Sequence, residues 1–499
     1  MKSFRAALVL ALLLGACSAP RGLEYAPPTS SSAWTPPPSA AARSPSVPVR
    51  PPEAMVQKAV DPLDPALEPA ALEQGRAYTL PELIDIAQQR NPSTRISWNA
   101  ARQAALAAGI AESTYLPRLS AIVAGGAATT RARTDIGPVD LTGDRVLGAA
   151  VAAASLEWLL FDFGGRAGLI EAARQDAIIA NFAFNEVHQR LLHGVTLAYH
   201  DCLAARARLA LADGLIRNAE EVERAARHKF ERGEGTLLDI AQAESLVAEA
   251  EFFRVRAQGA VARGDALLLQ AIGLPPEGKI TLADIDERTL PPAPPALADT
   301  ILDDVLTARP DLQRAFAAER AAAGREAAAR AQSLPKVFVS GTGSYVDGRL
   351  GVAGIPGFGD QPPVLNVFGD RWGASVFAGL AIPLYDGGVR GNVRAQAQAE
   401  RDAARARIEQ VRNEAAREVI DSHYQLGSAL SAHQQALALE KVAVVGRDAA
   451  LMAFRNGEVS IVEVMLAENS LARARSAVSD SRHAAFVAAA NMALAAGAM

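Results

Sequence analysis

The chain has 499 residues, a formal net charge of -5 and a sequence pI of about 5.9. That balance argues against a nucleic-acid binder, which carries a basic excess, and two cysteines, Cys17 and Cys202, exclude a disulfide framework and a cysteine-rich metal site. Half of the residues are hydrophobic but only 5% are aromatic, because alanine supplies much of the apolar count; such a composition makes long helices and thin cores more easily than sandwiches.

In chain order the first feature is a targeting signal. Lys2 and Arg5 precede the apolar run Ala6 to Leu14, and Leu14-Gly15-Ala16-Cys17 follows. This resembles the bacterial lipobox. The resemblance implies that residues 1–16 are a signal peptide, that the Cys17 thiol carries a diacylglycerol, and, with Ser18 rather than Asp next, delivery to the outer membrane. Removing Lys2 and Arg5 would take the net charge from -5 to -7. Residues 17–76 then read as a tether: thirteen of the 29 prolines lie between Pro20 and Pro69, mixed with Ser and Ala, and such a stretch buries too little apolar surface to fold.

The remainder is a duplication. Leu116-Pro117 recurs as Leu334-Pro335, and Asn91-Pro92 as Arg309-Pro310, both at an offset of 218. Asp162-Phe-Gly-Gly-Arg166 recurs as Asp386-Gly-Gly-Val-Arg390, and Phe230-Glu-Arg-Gly233 as Phe454-Arg-Asn-Gly457, both at 224. Each copy predicts the same order: a helix (Leu80 to Tyr115; Asp299 to Gln332), a strand pair, a very long helix (Arg166 to Glu231; Arg390 to Arg455), a glycine break and a last helix (Leu237 to Ile272; Ile461 to Ala495). At 1.5 Å per residue the long helix spans ~100 Å and the shorter ones ~50 Å, so two short helices end to end match one long helix. The domains are therefore 77–273 and 299–499, joined by a linker over 274–298.

The long helix carries a heptad seam of Leu191, Val195, Ala198, Cys202, Ala205, Leu209, Ala212 and Ile216. The strand segments, Leu119 to Arg133, Leu147 to Phe161, Val337 to Val346 and Trp372 to Leu384, alternate apolar with small or polar residues, as outer-membrane barrel strands do. Four strands cannot close a barrel with a usable lumen, so closure needs several copies of the chain. No segment after the signal has ~20 strongly apolar residues, so a membrane crossing would use strands.

With these motifs in order and duplicated, the chain resembles the TolC-like outer-membrane factor family in its lipid-anchored branch, over about Tyr78 to Met499. Leu116-Pro117 and Leu334-Pro335 look like the family's helix-to-strand transitions, and Pro383 to Arg390 like its strand-to-helix return. Phe230-x-x-Gly233-x-x-Thr236-x-x-Asp239 and Phe454-x-x-Gly457-x-x-Ser460-x-x-Glu463 look like its two helix-turn tips. The resemblance implies a mainly helical fold with a membrane β-barrel part: long antiparallel helices form a periplasmic α-barrel, and four strands per protomer enter a shared twelve-stranded trimeric barrel. It implies a homotrimer, periplasmic adaptor proteins docking at Arg232, Gly233, Thr236, Gly457 and Ser460, an inner-membrane pump reached through them, and an aperture ringed by Asp239 and Glu463. The next family gate position is Leu466, not an acid.

The function this implies is passive export of small molecules through an outer-membrane channel of a tripartite efflux system. An exit duct of a type I protein secretion system and a pore-free coiled-coil scaffold lipoprotein are the alternatives. No catalytic constellation, cofactor or metal site is expected beyond the lipid on Cys17. His188, His193 and His200 lack the i, i+4 spacing of a metal pair, and Asp162-Phe163-Gly164 has no kinase-type partner motif.

Overall fold

The computed structural model describes residues 23–35, 75–136, 139–283, 290–294, 309–348, 353–355, 364–366 and 372–498. The order is β1 (Ala77–Tyr78), α1 (Leu80–Arg90), α2 (Pro92–Ser113), β2 (Arg118–Ile136), β3 (Val139–Phe161), α3 (Gly165–Glu231), α4 (Leu237–Ile272) and β4 (Thr281–Leu282). Then come α5 (Pro310–Ala331), β5 (Lys336–Gly348), β6 (Ala353–Ile355), β7 (Val364–Asn366), β8 (Trp372–Ala381), α6 (Val389–Arg455) and α7 (Ile461–Ala495). Among the described residues no helix is long and apolar enough to cross a membrane. The chain divides into two compact units.

The first unit holds residues 103–178 and 317–406 with the 23–25 turn. Its sheet is antiparallel throughout, in the order β2-β3-β5-β8. The register puts Leu119, Leu156, Gly341 and Val376 in one cross-strand row, and Ser120, Ser155, Thr342 and Ser375 in the next row, on the opposite face. Leu119, Val123, Trp372, Val376 and Leu380 stand exposed on the apolar face. On the other face Ser120 and Ser155 hydroxyls lie 2.6 Å apart, and the Phe338 ring covers Gly379, leaving no room for a Cβ there. The hairpin is longer than the sequence pattern predicts: β2 and β3 stay paired to Ile136↔Val139, past Arg133, where charged residues end the apolar alternation. Backbone pairing does not need that alternation. Strand β8 stops at Ala381 rather than Leu384, since Pro383 has no N–H to give a ladder. The short β6–β7 hairpin has no counterpart in the predicted elements.

Both strand-to-helix returns use one device. Asp162 accepts the Arg166 backbone N–H at 2.6 Å, and Asp386 accepts that of Arg390 at 2.9 Å. Each arginine then turns back on the strand end, Arg166 onto Thr114 and Leu160 carbonyls and Arg390 onto the Pro383 carbonyl. Helices α3 and α5 cross with their backbones in contact: a Cβ at Gly168 would sit 2.6 Å from the Gly324 carbonyl oxygen, and one at Gly324 2.7 Å from that of Gly168.

The second unit holds residues 26–102, 179–316 and 407–499. The helix expected over Leu80 to Tyr115 is two helices. Asn91 leaves the helical region (φ -65°, ψ 125°) because Pro92 disfavours the α conformation in the residue before it. Asn91 is then used as a tie, donating to the Ala271 carbonyl at 2.9 Å. Its repeat mate Arg309 ties Ala495 in the same way, at 2.9 Å. The first part of the other predicted helix, 299–308, lies outside the described residues, as do Cys17 and the signal peptide. The heptad seam packs as expected, with Val195, Cys202, Ala205 and Ala212 buried. Burial pushes the Cys202 thiol up to about 12, and it donates to Asp265. One core gathers Tyr78, Leu83, Val195, Tyr199, Leu268 and Ile272; a second lies at the helix tips.

Part of the expected tether is folded. Residues 26–35 lie on the helices of the second unit: the Trp34 ring meets Phe182 edge-on at 5.4 Å. Trp34 N–H donates to Asn185 Oδ1 at 2.7 Å while Asn185 Nδ2 donates to the Trp34 carbonyl at 2.8 Å. Trp98 Nε1 donates to the Pro27 carbonyl, and neutral His188 must carry its proton on Nε2 to reach the Ser30 carbonyl.

The glycine crossing gives a direct test. Gly168→Val is expected to cost about 1–3 kcal/mol through overpacking, lowering the thermal midpoint. Gly194→Ala, where nothing lies within 4 Å of the added Cβ, should leave it unchanged or slightly raised. Equal midpoints for the two variants would refute the contact.

Candidate functional site

The site the sequence singles out is the pair of helix-to-helix turns, α3 to α4 and α6 to α7. Gly233 (φ +74°) and Gly457 (φ +84°) both take the left-handed conformation that favours glycine. The hydrogen bonds around them are the same in each repeat. Gly233 N–H donates to the Phe230 carbonyl and Glu234 N–H to that of Lys229, both at 2.9 Å; Gly457 donates to Phe454 at 3.0 Å and Glu458 to Ala453 at 2.9 Å. This six-to-one, five-to-two pairing closes the open carbonyls of a helix end.

Thr236 and Ser460 are the N-caps of the outgoing helices, both in extended backbone. Thr236 accepts the Asp239 backbone N–H at 3.2 Å, and Asp239 Oδ2 receives both the Thr236 N–H and hydroxyl at 2.8 Å. In the second tip the Ser460 hydroxyl donates to Glu463 Oε2, and that hydrogen bond holds the exposed Glu463 carboxyl below its ordinary value. Asp239 and Glu463 are thus first-turn cap acids. Arg232, on the exposed turn, pairs with Glu234 at 3.1 Å. Leu466 is exposed.

What the sequence pattern does not reveal lies just behind the turns. Arg447 of α6 is held by Glu221 of α3 and Glu468 of α7, each at 2.6 Å. Arg455 also reaches Glu221 at 2.6 Å, and Asn218 donates to Glu468. Burial opposes the Arg447 charge, but the hydrogen bonds to Glu221 and Glu468 outweigh it and raise its pKa. The Arg447 hydrogen bond in turn lowers that of Glu221. Lys229, buried, donates to the Phe454 carbonyl at 3.1 Å and stands 4.4 Å from the Phe454 ring centroid. These contacts clasp the ends of α3, α6 and α7 around Val222, Ala226, Leu246, Leu451, Phe454 and Val464. The partners are 21 to 250 residues apart, so no local spacing signals them. Among the described residues no cluster could hold a metal ion.

Breaking the clasp should be costly. Glu468 is only 5% exposed, and Arg447→Met leaves its charge unpaired, a loss of about 3–5 kcal/mol. The double variant Arg447→Met with Glu468→Leu should regain most of it by chemical denaturation; an unrecovered loss would refute the pairing. Because the Glu221 pKa is lowered on folding, its contribution is complete above the ordinary 4.5 and fades only as pH falls through the lower folded value. Stability lost between pH 8 and 5 should therefore be the same with and without Glu221→Gln.

A family model described as outer membrane efflux protein matches residues 83–274 and 301–498, once in each repeat. Among curated proteins, protein CyaE of Bordetella pertussis is 28% identical over 364 residues, covering 71% of this chain and 70% of CyaE. Outer membrane efflux protein BepC of Brucella suis is 25% identical over 382 residues, covering 76% of each. Among solved structures, CusC superposes with a TM-score of 0.71 at 20% identity, covering 88% of this chain and 98% of CusC.

Proposed function

The chain belongs to the outer membrane efflux protein family, and on that footing we propose that it is the outer-membrane duct of a tripartite export system. Three copies supply four strands each to one twelve-stranded barrel, and their long helices continue it into the periplasm as a hollow tube. Small molecules pass through passively, driven by an inner-membrane pump that reaches the tube through a periplasmic adaptor. The observation that carries this reading is the four-stranded sheet: apolar on one face, rowed with hydroxyls on the other, and open at β2 and β8. BepC is itself named an efflux protein.

The adaptor docks on the exposed turns, at Arg232, Gly233, Thr236, Gly457 and Ser460. Three copies of Glu463 and Asp239 ring the aperture, where like charges repel one another and so favour widening. Leu466 makes that ring less acidic.

Lipid on Cys17 anchors the chain to the outer membrane. The folded turn at 23–25 supports this: the Tyr25 hydroxyl donates to Glu112 at 3.0 Å, and Arg174 holds Glu112 at 2.7 Å. Eight residues separate Cys17 from Tyr25, so an anchor at Cys17 sits at most about 28 Å of extended chain from the Tyr25 backbone.

In planar bilayers the purified trimer should conduct, and Glu463→Gln should shift the reversal potential toward weaker cation preference; a monomer without conductance would favour the scaffold reading. Cys17→Ala should abolish labelling by radioactive palmitate while leaving the helical spectrum intact, and labelling that persists would remove the lipid anchor.

A further inference from the structure

The four strands of the first unit share one end, where β2 follows α2 and β8 runs toward α6. There the face that carries the hydroxyl row changes character. One row closer to the helices, on the same face, the register aligns Arg118, Glu157, Ser340 and Phe377. The next row holds Leu159, Phe338 and Gly379, and the last sets Lys336 opposite Ala381. At about 3.4 Å per residue the Arg118 row and Lys336 are about 14 Å apart along the strands.

Charges and rings meet on this belt without being spent on one another. Arg118 and Glu157 are cross-strand partners, yet among the described residues neither forms an ion pair, and neither does Lys336. Arg118 is exposed, and Lys336 and Glu157 are half-buried. Phe338 and Phe377 are diagonal neighbours, a spacing that aromatic side chains bridge. Phe338 lies over Gly379, where a Cβ would displace it, so its ring rests along the sheet. Phe377 is exposed. Lys336 stands one row from Phe338, about 7 Å along β5. Each chain thus offers two cations, one acid and two rings at this end of the face, and three copies leave an excess of three positive charges.

We propose that this belt is an attraction site for aromatic anions inside the duct. The anionic group of a passing solute meets Lys336 or Arg118 while its flat apolar body rests on Phe338 and Phe377. The proposal rests on the duct reading, which turns this face inward, and it adds a cargo class and a positive selectivity element to the acidic ring at the turns. Charges on the wall act on solutes within about one Debye length, about 10 Å at 0.1 M salt. Twelve strands enclose more space than side chains fill, so the belt biases what passes and leaves the water path open.

The test uses the full-length trimer in planar bilayers under a KCl gradient. The double variant Arg118→Glu with Lys336→Glu should lower the chloride-to-potassium permeability ratio at least about twofold, and Glu157→Gln should raise it. A second route avoids charge reversal during folding. In Arg118→Cys trimers a cationic methanethiosulfonate reagent should raise the ratio and an anionic one should lower it; the native Cys202 is buried and does not compete. Added to both chambers, 1-naphthalenesulfonate should reduce the current saturably, and 1-naphthylmethylammonium at the same concentration should not. Phe377→Ala should weaken the sulfonate effect at least about threefold. A conducting trimer whose reversal potential ignores both charge reversal and cysteine modification overturns the proposal. So does equal reduction of current by the two naphthalene probes, or a sulfonate effect that survives Phe377→Ala. A wild-type protein that forms no conducting trimer overturns instead the duct reading beneath it.

Discussion

A β-sheet in hydrocarbon cannot leave its edges open. Each unpaired N–H or C=O away from water costs several kcal/mol, and β2 and β8 present an edge each. The apolar face of this sheet, with Val376 79% exposed and Trp372 76%, is suited to lipid and poorly suited to water. One chain alone can satisfy neither demand. Only further copies, edge to edge, pair the strands and leave the hydroxyl row of Ser120, Ser155, Thr342 and Ser375 facing an interior. Everything periplasmic in the proposed tube inherits its symmetry from that closure.

The duplication explains why so little specific chemistry is needed for the rest. Each repeat solves the same three problems with the same residues: an Asp with an Arg four later starts the long helix, a left-handed glycine ends it, and a hydroxyl with an acid three later starts the next. These are local devices, each fixing a helix end by closing orphan backbone groups. The two copies then diverge where they face each other. Phe454 is buried in the tip core, whereas its mate Phe230 is 43% exposed and Lys229 beside it covers Phe454 instead. Symmetry in the backbone thus coexists with asymmetry in what each turn buries.

That distinction also governs what could be read from the sequence. The long helices, their ends at Glu231 and Arg455, and the capped starts at Leu237 and Ile461 were legible because glycine, Ser/Thr and acid spacing act over a few residues. The break at Asn91 is missed although Pro92 disfavours the helical conformation in the residue before it, because the segment Leu80 to Tyr115 reads as one helix. The folded stretch at 26–35 was hidden by its proline and serine content; the signal was Tyr25 and Trp34, the two aromatic residues between Cys17 and Arg76. The Arg447–Glu221–Glu468 clasp and the Gly168–Gly324 contact join distant segments, and nothing in a periodic pattern of charges or glycines chooses among the many possible pairings. Periodicity tells which face of a helix is covered, not which residue covers it.

The thin, alanine-rich seam has a mechanical consequence for the second unit. Its cores are separate: one around Val195, Tyr199 and Leu268, another around Val222, Leu246 and Phe454. On α3 the stretch from Cys202 to Ala219 is about 26 Å long, and its seam buries little more than Ala205 and Ala212. Alanine contacts contribute far less apolar area than leucine or phenylalanine. Rearranging the tip core therefore disturbs few contacts in the other, and the local opening free energy of the turns can fall well below that of the whole protein. The buried charges of the clasp set that local cost, because an ion pair that must stay paired holds one arrangement and penalises intermediate ones. A tube whose end can change while its wall stays packed needs this division, and alanine on the seam with charge at the tip supplies it.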